Sequence, residues 1–356
     1  MVIKKEKIDK ILEGYNKKDI TIATLCSHSS LQIFYGAKKE GFKTVGIAKK
    51  EVPRFYDAFP LSKPDSFIIL DDYKNITEQS DELLARNTVL IPHGSVVEYI
   101  GSDIYENMNI PVFGNRNVIG WESNRDMERK WLRHGNIPMP EKVANPEDIK
   151  FPVIVKYYGA KGGKGFFIAK NYDEFMKFKP SAPFTIQEYV VGTRYYVHFF
   201  WSPITDDGYR ISRGSLQMLG MDRRDEANID EMYKLGSQEY LRTLDVNPTF
   251  VVTGNVPVVL RESLLQKMFD YGERCIDASV ELFGGLIGPF CLETIVTDKL
   301  EIKVFEISTR IVAGTNLFIS GSPYSDMIEK DLSMGRRIAM EIKKGVELNK
   351  LSEIIT

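Results

Sequence analysis

The chain is short of the residues that would staple it together or anchor it. It has three cysteines in 356 residues, Cys26, Cys275 and Cys291. They are odd in number, widely spaced and without a C-x-x-C, so neither a disulfide framework nor a zinc knuckle is indicated, and buried free thiols are expected. A covalent role for Cys26 or Cys291 lacks a supporting histidine arrangement. No apolar run approaches the roughly 20 residues that span a bilayer. The opening "MVIKKEKIDKILEGYNKKD" reads as a charged amphipathic helix and not as a signal peptide, which makes the cytoplasm the expected location. An excess of positive charge is missing too. A formal net charge of −2 offers no polyanion-binding surface, which argues against nucleic acid as a principal partner. Internal repeats and low-complexity tracts are absent as well. What remains is an ordinary globular composition, 43% hydrophobic and 27% charged, long enough for two or three domains with a large cleft between them.

Two phosphate-binding signatures are also missing, although glycines suggest one. In "YYGAKGGKGFF", residues 157–167, a P-loop would need glycine at Tyr158 and a hydroxyl at Gly165, and a dinucleotide fingerprint would need a helix after the glycines. The residues that follow, "FFIA", are strand-like. The segment therefore reads as a β-hairpin whose glycine-rich tip lays backbone N–H groups against phosphate oxygens, with Lys161 and Lys164 adding charge. A bland surface turn is the competing reading.

The first ~120 residues alternate strand and helix signals: "ITIATL", "LQIFYGAKKEGF", "KTVGIAKK", then "SFIIL" and "TVLIPHG" around "YKNITEQSDELLAR". They read as a small open parallel α/β sheet, whose ligands bind at the carboxyl ends of the strands. There "CSHSS" leads into a helix N-terminus suited to a phosphate, and "PHGS" follows the later strand. His28 and His93 are expected to approach each other. For His93 a structurally satisfied ring is the expectation, while for His28 both a structural and a binding role stay open. In "DMERKWLRHGNIPMPEKV" helical spacing runs to Gly135 as the stop, followed by prolines, which marks a domain junction. Strand-like segments then dominate, "YRISRGSLQMLGM" among them, up to a long helix "ESLLQKMFDYGERCIDASVELF".

The last two strands carry Glu293 and Glu306. A two-residue turn at Asp298-Lys299 would set residue 293 opposite 304 and put Glu306 one diagonal step away on the same face. Carboxylates ~7–8 Å apart at Cβ leave room for one or two Mg²⁺ ions. Paired acids on a sheet are often merely solvated, but together with a glycine hairpin they point to Mg²⁺ bridged to ATP phosphates.

The order of these features, from the small α/β domain through "VIVK", the glycine hairpin and "QEYVVG" to the acidic hairpin, resembles the ATP-grasp superfamily. The resemblance implies a fold of mixed α/β and α+β class. Residues 1–122 would form a pre-ATP-grasp parallel α/β domain. Residues 123–356 would form an ATP-grasp domain with largely antiparallel sheets, its subdomain at about 150–200 carrying the hairpin. It also implies that Lys156 meets the ATP phosphates, that Lys161, Gly162, Gly163 and Lys164 cover them, and that residues 187–192, with Gln187, Glu188, Tyr189 and Val191, form the adenine hinge. Glu293 and Glu306 would ligate Mg²⁺ or Mn²⁺, and Arg310 of "EISTR" would stabilise an acyl phosphate. Ser308 stands where many members carry asparagine.

Within that superfamily "TIATLCSHSSLQI", "IPHGS", "PVFGNR", "WES", "GMDRRDEANID", "VVTGNVPVVLRESLL", "IGPFC" and "GTN" are similar to the archaeal 5-formaminoimidazole-4-carboxamide ribonucleotide (FAICAR) synthetase family, over essentially the whole chain. That family makes FAICAR from AICAR, formate and ATP. By position His28, Ser95 and Asn255 would contact AICAR and Glu226 the nucleotide, and a homo-oligomer, trimer or hexamer, is implied. The rival readings are an ATP-grasp ligase for another small acid and amine, a nucleotide-binding protein without turnover and, least compatible with the hairpin, a folate-dependent formyltransferase.

Overall fold

The computed structural model describes residues 2–157, 165–178, 180, 182–227 and 251–356. Three sheets organise it. The first takes β1 (Thr21–Leu25), β2 (Lys43–Ala48), β3 (Ser66–Ile69) and β4 (Thr88–Leu90) in the order β3-β2-β1-β4, every pairing parallel. β1 is buried at all its positions, as a parallel strand covered on both faces should be. The helix Ser30–Lys39 crosses from β1 to β2, and the later helix Met334–Glu347 packs onto it so closely that a side chain on Gly36 would strike the backbone of Arg336.

The second sheet is small and antiparallel: β5 (Lys142–Val143), β6 (Val153–Tyr157), β7 (Phe166–Ala169) and β8 (Phe184–Glu188), ordered β5-β8-β6-β7. Alternate residues Val153, Val155 and Phe167 face its own core with Phe175 and Ile186. β6 and β7 form the hairpin expected around the glycines, closed by Tyr157 N–H to Gly165 O at 3.0 Å. Lys161, Gly162, Gly163 and Lys164 lie outside the described residues.

The third sheet is central. β9 (Thr193–Ser202), β10 (Tyr209–Arg210), β11 (Ser215–Glu226), β12 (Val252–Pro257), β13 (Gly288–Val296) and β14 (Ile302–Ser308) run β10-β11-β9-β13-β14, with β12 on the far end of β11. The helix Glu262–Phe283 covers one face through a stripe including Leu264, Met268, Tyr271, Cys275 and Ile276. It ends at Gly284 in the left-handed region, as C-terminal glycines do. The helix Arg125–His134 is tied to it by fully buried Trp131, whose Nε1–H donates to Cys275 O at 2.8 Å. All three cysteines are buried and free.

The segment "YRISRGSLQMLGM" is not one strand. It turns back between β10 and β11, with Gly214 at φ 70°. Gly135 keeps φ −73°, and it is Asn136, at φ 49°, that takes the left-handed step ending the helix. No helix among the described residues is long and apolar enough to cross a membrane.

Candidate active site

The acidic hairpin differs in register from the sequence expectation. Its turn has three residues, 298–300, inside a Thr297 N–H to Glu301 O bond of 2.9 Å, with Leu300 at φ 60°. Three-residue hairpin loops place such a left-handed residue last. A bulge between Glu293 and Thr294 on one side and Val304 and Glu306 on the other adds a second one-residue offset. Two offsets preserve the face, so Glu306 sits directly opposite Glu293 and not diagonally. Glu293 is buried, and its Oε1 accepts from Arg224 Nη2 and from Ser308 Oγ, both at 3.3 Å. The Ser308 hydroxyl is thereby turned toward Glu293.

Repulsion from Glu293, with desolvation in the cleft and the Glu122 charge, raises the Glu306 carboxyl to about 7, against the pull of Lys156 and Arg224. Glu306 is accessible from the cleft, which makes repulsion the cause that counts. Two oxygen donors held face to face against their own repulsion suit a hard divalent cation. Among the described residues no three His, Cys, Asp or Glu side chains converge on one metal position. Waters and phosphate oxygens would complete such a shell, as is usual for Mg²⁺.

Glu306 borders a cavity of about 560 Å³ between the second and central sheets, with Glu293 buried opposite it. β6 delivers Lys156, whose ammonium is pushed below its ordinary value by burial and by Arg125. The end of β8 delivers Gln187, Glu188 and Tyr189. The Glu188 carboxylate accepts from Lys303 Nζ at 2.5 and 2.7 Å and from Glu141 N–H at 2.9 Å, which fixes this wall. β11 contributes Arg224 and Glu226, two residues apart on one face. Arg224 lies 3.4 Å over the Tyr196 ring, and Glu226 pairs with Arg194 at 2.9 Å. Arg310 closes the inner end.

A second cavity of about 360 Å³ opens at the carboxyl end of β1, lined by Cys26, Ser27, His28, Leu31, Phe55 and Tyr56 among others. The His28 ring sits 4.8 Å from that of His93, and its Nδ1 is 2.8 Å from Ser29 Oγ. Burial, then the Arg310 charge, lowers its pKa to about 4, so it is neutral at pH 7. His93 is fully buried: its Nδ1 accepts from Ser95 N–H, which assigns the proton to Nε2 and to Leu25 O at 3.0 Å. This is the structurally satisfied ring expected of it. Gly94 separates His28 from Arg310. A Cβ there would lie 2.4 Å from His28 Nε2 and 3.4 Å from Arg310 Nη1, so the absence of a side chain lets both groups approach.

The structure thus brings Lys156, Gln187, Glu188, Tyr189, Glu226, Glu306 and Arg310 around one cavity and His28 to the edge of the other. Ser95 is buried and donates to Ser27 Oγ at 2.7 Å. Asn255 borders neither cavity; its Nδ2 donates to the buried Asp222 at 2.7 Å. Val191 is 74% exposed and also lines neither. The residues sequence reasoning missed are Arg125, Arg194, Tyr196 and Arg224 on the cavity wall, with Glu122 and Glu128 behind it. Period-two alternation of Asp222, Arg224 and Glu226 in "GMDRRDEANID" would have revealed Arg224. Nothing local in the sequence singles out the others.

A family profile described as a domain of unknown function (DUF1297) matches residues 173–356, and a second, a protein of unknown function (DUF1246), matches residues 22–143. A 5-formaminoimidazole-4-carboxamide-1-(beta)-D-ribofuranosyl 5'-monophosphate synthetase from Methanothrix thermoacetophila is 60% identical over 356 residues, covering all of both chains. One from Methanocaldococcus jannaschii is 42% identical over 374 residues, again with full coverage of both. Among solved structures, an IMP biosynthesis protein PurP from Thermococcus kodakaraensis matches with a TM-score of 0.73 at 31% identity, over 94% of this chain and 100% of that one. At 16% identity, which speaks for fold alone, an N5-carboxyaminoimidazole synthetase from Staphylococcus aureus complexed with ADP matches with a TM-score of 0.60 over 93% of this chain and 79% of its own. The small parallel sheet, the lid-like antiparallel sheet and the acidic central sheet are those of an ATP-grasp enzyme, an ATP-dependent ligase. The chain belongs to the FAICAR synthetase family.

Proposed function

We propose that this protein joins formate to the amino group of AICAR at the expense of ATP, giving FAICAR, ADP and phosphate, in the cytoplasm and as a homo-oligomer. The observation that carries the reading is a nucleotide-sized cleft with Arg310 in its wall, the Arg310 guanidinium lying across Gly94 from the neutral His28, which lines the second cavity. Formate is a poor electrophile. Transfer of the ATP γ-phosphoryl to a formate oxygen, breaking the β–γ bridge, gives formyl phosphate and ADP. The AICAR amine then attacks the formyl carbon, loses a proton, and phosphate leaves.

Lys156 and Arg310 supply fixed positive charge where the transferring phosphoryl oxygens carry negative charge. The hinge residues Gln187, Glu188 and Tyr189 orient the purine of ATP, with Glu226 on the same nucleotide. His28, Ser95 and Asn255 are assigned to AICAR. Glu293 and Glu306 would hold Mg²⁺ or Mn²⁺, which when bound neutralises phosphate charge. The glycine hairpin is assigned the covering of the phosphates, keeping water from an acyl phosphate that hydrolyses readily. Omission of each substrate in turn tests the reading: FAICAR mass is expected only when formate, AICAR, ATP and Mg²⁺ are all present. ADP release coupled to a different acid or amine would overturn it.

A further inference from the structure

Arg310 has few groups to aim it. Its Nη2 pairs with Glu122 Oε1 at 2.7 Å, its Nη1 lies over Gly94 toward His28, and its Nε is buried without a hydrogen-bond partner among the described residues. Glu122, only 8% exposed, comes from a different element, the short helix Val118–Ser123. Its other oxygen accepts from Thr309 N–H at 2.8 Å and from Thr309 Oγ1 at 2.7 Å. Every one of these contacts is a donation to one carboxylate, and three of its roughly four acceptor positions are used.

The same construction recurs along β14. This strand is the edge of the central sheet, and its outward N–H groups would otherwise be open to water or to a foreign strand. Val304 N–H donates to Pro138 O at 2.8 Å, Ile307 N–H to Glu128 Oε1 at 2.6 Å, and Thr309 N–H to Glu122. The segment between the first and second sheets therefore seals the edge with a carbonyl and two carboxylates. The last of these also grips the arginine one residue on.

We propose that Glu122 is a positioning residue for the reaction: by binding Thr309 and Arg310 together, it holds the Arg310 guanidinium in the wall of the larger cavity, across Gly94 from His28. The inference rests on the reading of Arg310 as the cation that meets the acyl phosphate. A glutamine at position 122 keeps the shape but turns an NH₂ toward a donor, so the grip fails while the packing survives.

The test is a double-mutant cycle of Glu122→Gln and Arg310→Ala, with turnover measured at saturating ATP, formate and AICAR and melting recorded for each variant. Glu122→Gln alone is expected to lower kcat about 10–100-fold, the usual effect of losing a residue that orients a functional group. In the Arg310→Ala background it is expected to cost less than about twofold. Equal factors in both backgrounds, or wild-type kcat in Glu122→Gln, would overturn the proposal. Wild-type turnover in Arg310→Ala alone would instead remove Arg310 from the reaction, and the positioning role with it. If Glu122→Gln does not fold, Glu122→Asp, which keeps the charge one methylene short of its partners, enters the same cycle with the same expectations.

Discussion

At the scale of the residue, Lys156 is a cation pushed toward neutrality by burial and by Arg125, and drawn back by Glu306 and Glu128. A charge held there by its surroundings needs little reorganisation when phosphoryl charge develops beside it, which is where preorganised donors are worth most. Lys156→Met is expected to lower single-turnover phosphoryl transfer by about 10²–10³-fold; an unchanged rate would take Lys156 out of the mechanism. The two histidines make a prediction in pH. His28 and His93 have folded pKa values of about 4 and about 3, below the ordinary 6.5. The unfolded chain therefore binds more protons between these limits, and the stability that is full above about pH 6.5 is lost as pH falls toward 4. Melting temperature followed across that window should fall less steeply for His28→Asn, by about one proton's worth of slope. A slope equal to wild type would mean that His28 is not held neutral.

At the scale of the element, the acidic hairpin shows how much a strand pattern can and cannot tell. Alternation places Glu293 and Glu306 on one face whatever the loop, provided the offsets sum to an even number. Both the turn of residues 298–300 and the bulge contribute one. The sequence thus supports the shared face but not the direct opposition, because a bulge leaves no residue signature here and Leu300 is an unusual occupant of a left-handed position. Leucine in that conformation costs roughly 1–2 kcal/mol, part of which glycine would recover after its own entropic penalty. Leu300→Gly should raise the unfolding free energy in urea by about 0.5–1 kcal/mol. A loss of stability would contradict this turn and the register derived from it. β10 and β11 teach the same lesson, since one apolar run proved to be two strands folded at Gly214.

At the scale of the whole molecule, the sheet types and the order of motifs were legible because each is local: buried apolar runs for β1 and β2, a glycine-rich hairpin, acids at period two. Family resemblance added the roles assigned to those motifs. What stayed hidden is non-local. Glu122 and Glu128 act across 187 and 179 positions, on Thr309 and Ile307, and no spacing within a helix of either announces that reach. Arg125 and Arg194 look like any solvated arginine until two sheets close around them. The central claim, that formate is activated as an acyl phosphate inside this cleft, is tested most directly with formate labelled by ¹⁸O. The account predicts that one labelled oxygen appears in the released inorganic phosphate for each FAICAR formed, with ADP as the nucleotide product. Unlabelled phosphate accompanying FAICAR formation would contradict it.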